Sequence, residues 1–156
     1  MFYYFGRKAR LASTYPAPEY PLVIEPFAGS MAYTLHYRPT YAIGIDAEPR
    51  VVDLWHRLTR MTRDEIETAA SPVLGERTDD LWHLLSCGGL AISDTNHRVA
   101  NPFMIEHFER QRRVALRHLD YARTSVIYRL GDYSEAPDVE ATWFIDPPYR
   151  AQHRYR

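Results

Sequence analysis

Four short apolar segments dominate the hydrophobic pattern of this chain, and an acidic residue ends or follows each of them. They occupy residues 22–25, 41–46, 125–130 and 142–145. Short, continuously apolar runs bounded by turn residues are typical of strands that are buried on both faces of a parallel sheet. The pattern therefore predicts four strands, and the first two, at residues 22–25 and 41–46, are expected to be buried.

Helical periodicity occupies the intervals between these predicted strands. Residues 31–37 have a helical pattern, and Pro49 suits the first turn of the next helix. The apolar face of that next helix is formed by Val51, Leu54, Trp55, Leu58 and Met61. Strands that alternate with helices imply parallel pairing through right-handed crossovers. The sequence thus predicts an α/β fold.

The middle of the chain, residues 62–123, has no strand pattern and predicts a helical insert between strands two and three. Thr78 suits the cap of one helix, which would end at Gly88. Asn101 and Pro102 suit the cap and first turn of another. The inward face of this second helix is predicted to carry Ile105, Phe108, Leu116 and Leu119. Its outward stripe is predicted to carry Arg110, Arg113 and Arg117. The stripe suits contacts with phosphates, and an ordinary solvated helix face is the alternative interpretation.

Composition narrows the class of protein. The 156 residues are 46% hydrophobic and carry a net charge of -1, which indicates one domain with a real core and no overall attraction to nucleic acid or membrane. Cys87 is the only cysteine, so an intrachain disulfide is excluded and a cytoplasmic location is expected. No apolar run is long enough to span a bilayer, and the histidines lack metal-ligand spacing. We therefore expect neither a membrane nor a metal partner.

Acidic residues coincide with the carboxyl ends of all four predicted strands. They are Glu25, Asp46, Asp132 and Asp146. Ligands of parallel α/β sheets bind in the crevice at this end of the strands. We therefore expect four carboxylates around one ligand site, although acidic residues also follow strands without any function.

Two short motifs begin at the ends of the first and the last of the four predicted strands. Residues 25–30 read Glu-Pro-Phe-Ala-Gly-Ser, and residues 146–149 read Asp-Pro-Pro-Tyr. The prolines stiffen the second turn, so that a carboxylate and an aromatic ring are held at its tip. These two groups are suited to binding the exocyclic amine of a flat base. The first turn is not G-x-G-x-x-G, which disfavours a dinucleotide-binding oxidoreductase. An aromatic and basic motif at residues 3–8 precedes the two motifs. In this order, the motifs resemble those of the Dam-type, D12-class adenine-N6 DNA methyltransferases. The chain is similar to a small phage- or prophage-like member of that family.

The resemblance implies a fold, a cofactor and a partner. The fold would be the Rossmann-like sheet of S-adenosylmethionine-dependent methyltransferases, with strand order 3-2-1-4, in a single domain over residues 1–156. Residues 62–123 would form the target-recognition region, and Arg110, Arg113 and Arg117 would contact double-stranded DNA. The cofactor would be S-adenosylmethionine, with no metal required.

The resemblance also assigns roles to individual residues. Residues implied in cofactor binding are Tyr4, Lys8, Glu25, Pro26, Phe27, Ala28, Gly29, Ser30, Asp46, Asp132, Tyr133 and Asp146. Residues implied in catalysis are Asp146, Pro147, Pro148 and Tyr149. Asp46 would bind the ribose hydroxyls, whereas Asp146 and the carbonyl of Pro147 would accept hydrogen bonds from the target amine. Tyr149 would stack on the flipped base. Met31 departs from the family, which often has a further glycine there.

The family's sheet continues with further strands after the tetrad, whereas this sequence ends at residue 156. We therefore expect a C-terminally truncated methyltransferase whose fourth strand is a bare edge. A missing C-terminal segment or a second chain would cover that edge. Two other functions stay open: a non-catalytic module that binds cofactor or DNA, and a methyltransferase that acts on an RNA base.

Overall fold

The computed structural model of the protein describes residues 11–71, 73–76, 99–100 and 102–147. Strands and helices alternate along most of the described chain. In chain order they are β1 (Leu22–Glu25), α1 (Ala32–Tyr37), β2 (Tyr41–Asp46), α2 (Pro49–Arg60), α3 (Arg63–Glu67), α4 (Pro102–Ser125), β3 (Val126–Leu130) and β4 (Thr142–Trp143). Short 3-10 helices occupy Ala12–Thr14 and Tyr133–Glu135. The α/β class predicted from the sequence is confirmed.

The four strands form one sheet in the order β3-β2-β1-β4, and every pairing is parallel. Ile24 of β1 lies opposite Ile43 of β2 on one side and opposite Trp143 of β4 on the other. Ile43 in turn lies opposite Ile127 of β3. Parallel neighbours end at the same edge of the sheet, so the residues that follow the strands come close together.

The fourth strand is shorter than the sequence predicted. Residues 142–145 were expected to pair, but β4 includes only Thr142–Trp143. Among the described residues, β4 pairs only with β1, and the last hydrogen bond runs from Phe144 N to Ile24 O at 2.9 Å. The apolar run continues for two residues after β4. A strand ends where its pairing with a neighbour ends, so these two residues are apolar without belonging to β4.

Helix α2 covers one face of the sheet, as its periodicity predicts. Glu48 caps it by accepting a hydrogen bond from Arg50 N, and Pro49 occupies its first turn. Residues on its inward face with at most 1% exposure are Val51, Leu54, Trp55 and Leu58. Met61 lies beyond the end of the helix and is only half-buried. Full burial of each large apolar side chain contributes about 1.5–3 kcal/mol, so this face anchors α2 to the sheet.

In the described parts of residues 62–123 the regular elements are helices, and none is a strand. The prediction of Pro102 in the first turn of α4 is confirmed, and Phe108 and Leu119 are fully buried. Ile105 and Leu116 are only half-buried, because the fully buried line instead passes through Gln111 and Ala115. The helix predicted from Thr78 to Gly88 lies outside the described residues.

Helix α3 was not predicted from the sequence. Thr62 Oγ1 accepts a hydrogen bond from Glu65 N at 3.1 Å, and Glu65 Oε2 accepts one from Thr62 N at 2.6 Å. These two contacts form a capping box. Ile66 is fully buried against Ala115 and Leu119 of α4, so α3 joins the long helix to α2.

The second face of the sheet is less well covered at its outer strands. Ile24 and Ile45 at the centre are buried, whereas Ile127 of β3 is 53% exposed and Trp143 of β4 is 39% exposed. Ile145 is 62% exposed. Trp143 and Ile145 are therefore uncovered, as expected from the sequence, whereas Phe144 between them packs against the core. In the ranges that the structure describes, no helix is long and apolar enough to cross a membrane.

Candidate functional site

The glycine turn after β1 has an unusual backbone that the surrounding sheet holds in place. Gly29 and Met31 both have φ of 47°. Glycine adopts this left-handed conformation without steric cost, whereas for a residue with a side chain it costs roughly 1–2 kcal/mol. Ala28 N donates to Ile45 O at 2.9 Å, and Met31 N donates to Ala28 O at 2.7 Å. These bonds fold the turn back onto the end of β2.

Met31 packs in the core. Its side chain is fully buried, and a Cβ added at Gly44 of β2 would lie 2.7 Å from the Met31 sulfur. The side chain therefore fills the space above a strand glycine. This contact offsets the strain at Met31, and it accounts for a bulky residue where the resembled family often has glycine.

Asp46, at the end of β2, links the glycine turn to the start of α2. Its Oδ2 accepts a hydrogen bond from Gly29 N at 2.8 Å, and its Oδ1 accepts one from Glu48 N at 2.9 Å. Burial raises the pKa of Asp46, and these two backbone hydrogen bonds partly offset the effect. Each carboxylate oxygen has a second lone pair. Asp46 can therefore hold the turn and still accept a hydrogen bond from a ligand hydroxyl.

Glu25, the last residue of β1, is only 2% exposed. Its Oε1 accepts a hydrogen bond from Thr34 N in the first turn of α1 at 2.9 Å. Burial raises the pKa of Glu25 to about 7; hydrogen bonding to Thr34 lowers it, and the negative charge of Asp146 raises it further. Glu25 and Asp146 therefore interact electrostatically across the adjacent ends of β1 and β4. A buried carboxyl that supports α1 was not foreseen from the sequence, which indicated only a cofactor contact.

Asp132 and Tyr133 follow β3 and behave differently from each other. Asp132 is exposed, and its Oδ1 accepts hydrogen bonds from Ser134 N at 3.0 Å and from Ser134 Oγ at 2.7 Å, which lower its pKa. The ring of Tyr133 stacks on Phe27 of the glycine turn, with 5.4 Å between centroids and 29° between planes. The structure thus brings Tyr133 to the glycine turn, whereas Asp132 caps the 3-10 helix Tyr133–Glu135.

Asp146 is half-buried and Pro147 is exposed. The segment before them is anchored by Phe144, whose ring stacks on Tyr33 at 4.5 Å and 6°. Phe144 also meets Tyr15 edge to face at 5.1 Å. These contacts fix the chain that leads from β4 to Asp146. Predicted site residues that lie outside the described residues are Tyr4, Lys8, Pro148 and Tyr149.

The arginine stripe on α4 is exposed as predicted at Arg110, Arg113 and Arg117. Arg113 Nε donates to the carbonyl of Glu109 at 3.3 Å. Arg38, which precedes β2, donates to the carbonyl of Arg117 at 3.0 Å. The backbone at Arg117 therefore lies near the amino end of the sheet, opposite the strand ends that carry the acids.

Two residues at the site were missed in the sequence. Trp55 Nε1 donates to Gly29 O at 2.9 Å, and Tyr128 OH donates to the same carbonyl at 2.6 Å. The sequence indicated Trp55 only as part of an apolar helix face and Tyr128 only as a strand residue. Buried tryptophan and tyrosine usually find a partner for the N–H or O–H. That requirement signals a polar contact without saying which carbonyl accepts.

Comparisons with known proteins do not supply an assignment. No protein-family model matches the chain, and no curated protein matches it significantly. Within the described ranges, no group of three or more histidine, cysteine, aspartate or glutamate residues is arranged to hold a metal ion. The chemistry of the site therefore has to be argued from its own residues.

Proposed function

We propose that the protein is an S-adenosylmethionine-dependent adenine-N6 DNA methyltransferase with a Rossmann-like fold. One observation carries the proposal: the glycine turn, which Asp46 holds at the end of β2, and Asp146, which interacts with Glu25, lie at the same end of one parallel sheet. Such an enzyme would act in the cytoplasm.

The side chains at this edge have the chemistry that the cofactor needs. The second lone pairs of Asp46 suit the two ribose hydroxyls. The aromatic rings of Phe27 and Tyr133 supply a flat apolar surface next to the turn, suited to the adenine ring. The glycine turn would carry the methionine end, because Gly29 has no side chain to keep the ligand away.

In the proposed reaction, Asp146 and the carbonyl of Pro147 orient the target amine. Both accept hydrogen bonds from N6, so the nitrogen lone pair is directed at the methyl group of the bound cofactor. The cofactor supplies a sulfonium-bound methyl group that is already a strong electrophile. The nitrogen–carbon bond would form as the sulfur–carbon bond breaks, and the proton that the methylated amine loses would pass to solvent. Positioning is thus the main contribution of the protein.

DNA would approach the carboxyl ends of the strands with its target base flipped out. The exposed Arg110 and Arg113 on α4 are suited to phosphates, because guanidinium groups bind phosphate oxygens in a bidentate manner. Arg117, near the other end of the sheet, would contribute only to a long DNA footprint. The net charge of -1 implies that binding depends on such a local patch.

Transfer of a labelled methyl group tests the proposal. The purified protein is incubated with S-adenosylmethionine carrying a tritiated methyl group and with unmethylated duplex DNA, beside Asp146→Asn. Asp138→Asn, which changes an exposed aspartate in the loop before β4, is the matched control. We expect label on adenine N6 with the wild type and the control, and a loss of about 100-fold or more in Asp146→Asn, as is typical when a group that acts in the transition state is removed.

The same experiment discriminates the alternatives when it is repeated with RNA and when binding of the labelled cofactor is measured beside transfer. Cofactor binding without transfer to any nucleic acid would contradict the proposal in favour of a non-catalytic binding module. Label that appears on RNA and not on DNA would contradict it in favour of an RNA-base methyltransferase.

A further inference from the structure

The peptide groups of Gly29 are held by side chains from three different elements. Its N–H donates to Asp46 at the end of β2 at 2.8 Å. Its carbonyl accepts hydrogen bonds from Trp55 of α2 at 2.9 Å and from Tyr128 of β3 at 2.6 Å. The glycine turn follows β1, but its hydrogen bonds therefore attach it to β2, α2 and β3.

The two donors to the carbonyl also support each other. Trp55 is 1% exposed and Tyr128 is 8% exposed. Their rings stack, with 4.8 Å between centroids and 23° between planes. A movement of either ring would disturb the other, so the two hydrogen bonds to Gly29 are fixed by packing as well as by polarity. We name Trp55 and Tyr128 the aromatic clamp.

A glycine in a turn needs such a restraint more than other residues do. Glycine has the largest range of backbone conformations and loses the most freedom when one is selected. At Gly29 the selected conformation is left-handed, with φ of 47°. Two donors on one carbonyl remove alternative orientations of the Gly29–Ser30 peptide, because any rotation would leave buried polar groups unpaired.

We propose that the aromatic clamp positions the glycine turn for the ligand, and that Trp55 and Tyr128 are positioning residues of the cofactor site. The identity of the ligand, S-adenosylmethionine, rests on the proposed function; the restraint on the turn does not. A site that is already in its binding conformation avoids the entropic cost of ordering when the ligand arrives. Loss of the clamp should therefore weaken ligand binding although neither side chain is required to touch the ligand.

A pair of matched tyrosine variants tests the proposal. Tyr128→Phe removes the hydroxyl that donates to Gly29. Tyr121→Phe removes a hydroxyl that donates to another backbone carbonyl, that of Pro39 at 2.8 Å, at the amino end of β2. We expect Tyr128→Phe to weaken S-adenosylmethionine binding about 5- to 20-fold, the range for one lost hydrogen bond. Tyr121→Phe should bind as the wild type does. Equal affinities in the two variants would overturn the proposal.

Amide hydrogen exchange in the ligand-free protein separates this inference from the proposed function. Exchange at residues 27–31 should be about 10-fold faster in Tyr128→Phe than in Tyr121→Phe, and Trp55→Phe should have the same effect. Unchanged exchange in both clamp variants would overturn the restraint itself. If the wild type binds no S-adenosylmethionine but exchange rises as expected, the proposed function fails and the clamp stands.

Discussion

At the scale of single residues, Glu25 combines a structural contact with an altered ionisation. It accepts a hydrogen bond from α1 and is almost completely buried, so its carboxyl is uncharged in an appreciable fraction of molecules at neutral pH. The negative charge of Asp146 at the adjacent strand end adds to the effect of burial on the pKa of Glu25, because like charges repel.

The altered pKa of Glu25 predicts a pH dependence of stability. The ordinary pKa is 4.5 and the folded value is about 7. Between these values the folded protein keeps a proton that the unfolded chain has released, so the free energy of unfolding falls as the pH rises through this window. We expect the contribution to decrease by on the order of 3 kcal/mol in the wild type.

Urea unfolding at several pH values, beside Glu25→Gln, measures this contribution. The glutamine can still accept the hydrogen bond from Thr34 N, but it does not titrate. Parallel pH profiles for the two proteins would contradict the assigned ionisation of Glu25.

At the scale of elements, the glycine turn and β2 depend on one close contact. Gly44 leaves room for the sulfur of Met31, and Ala28 lies close to the same position. We predict that Gly44→Ala destabilises the protein by about 1–3 kcal/mol, because the buried neighbours have to move. Thermal and urea unfolding measure the effect. A double-mutant cycle with Met31→Ala should show a much smaller cost, and equal costs in both backgrounds would exclude this contact as the cause.

Elements also show where sequence reasoning succeeded and where it stopped. The periodic face of α2 and the apolar runs of β1 and β2 were predictable, because apolar residues at these positions indicate burial directly. Helix α3 is too short for periodicity, although Thr62 and Glu65 give the signature of a capping box. The contacts of Trp55 and Tyr128 with Gly29 join residues far apart in the chain, so no local pattern identifies their acceptor.

At the scale of the whole molecule, one end of the sheet concentrates the polar chemistry, while the outer strands expose apolar side chains. Glu25 and Asp46 lie at the carboxyl ends of the central strands, where they are held by α1 and the glycine turn. Ile127 and Trp143 lie at opposite sides of the second sheet face and are partly exposed. The strand ends therefore form the candidate site. Cover of the fourth strand by a further C-terminal segment or a second chain stays a prediction.

We propose that the ends of β1, β2 and β4 bind S-adenosylmethionine, and calorimetric titration at pH 7.5 measures this binding. We predict saturable binding to the wild type and at least about 10-fold weaker binding to Asp46→Asn, which loses the charge that strengthens hydrogen bonds to the ribose and one of the two oxygens that hold the backbone. Asp53→Asn, which changes an exposed aspartate of α2 that pairs with Arg57, should bind as the wild type does. No binding by the wild type, or equal affinity in Asp46→Asn and Asp53→Asn, would exclude the binding of S-adenosylmethionine at Asp46.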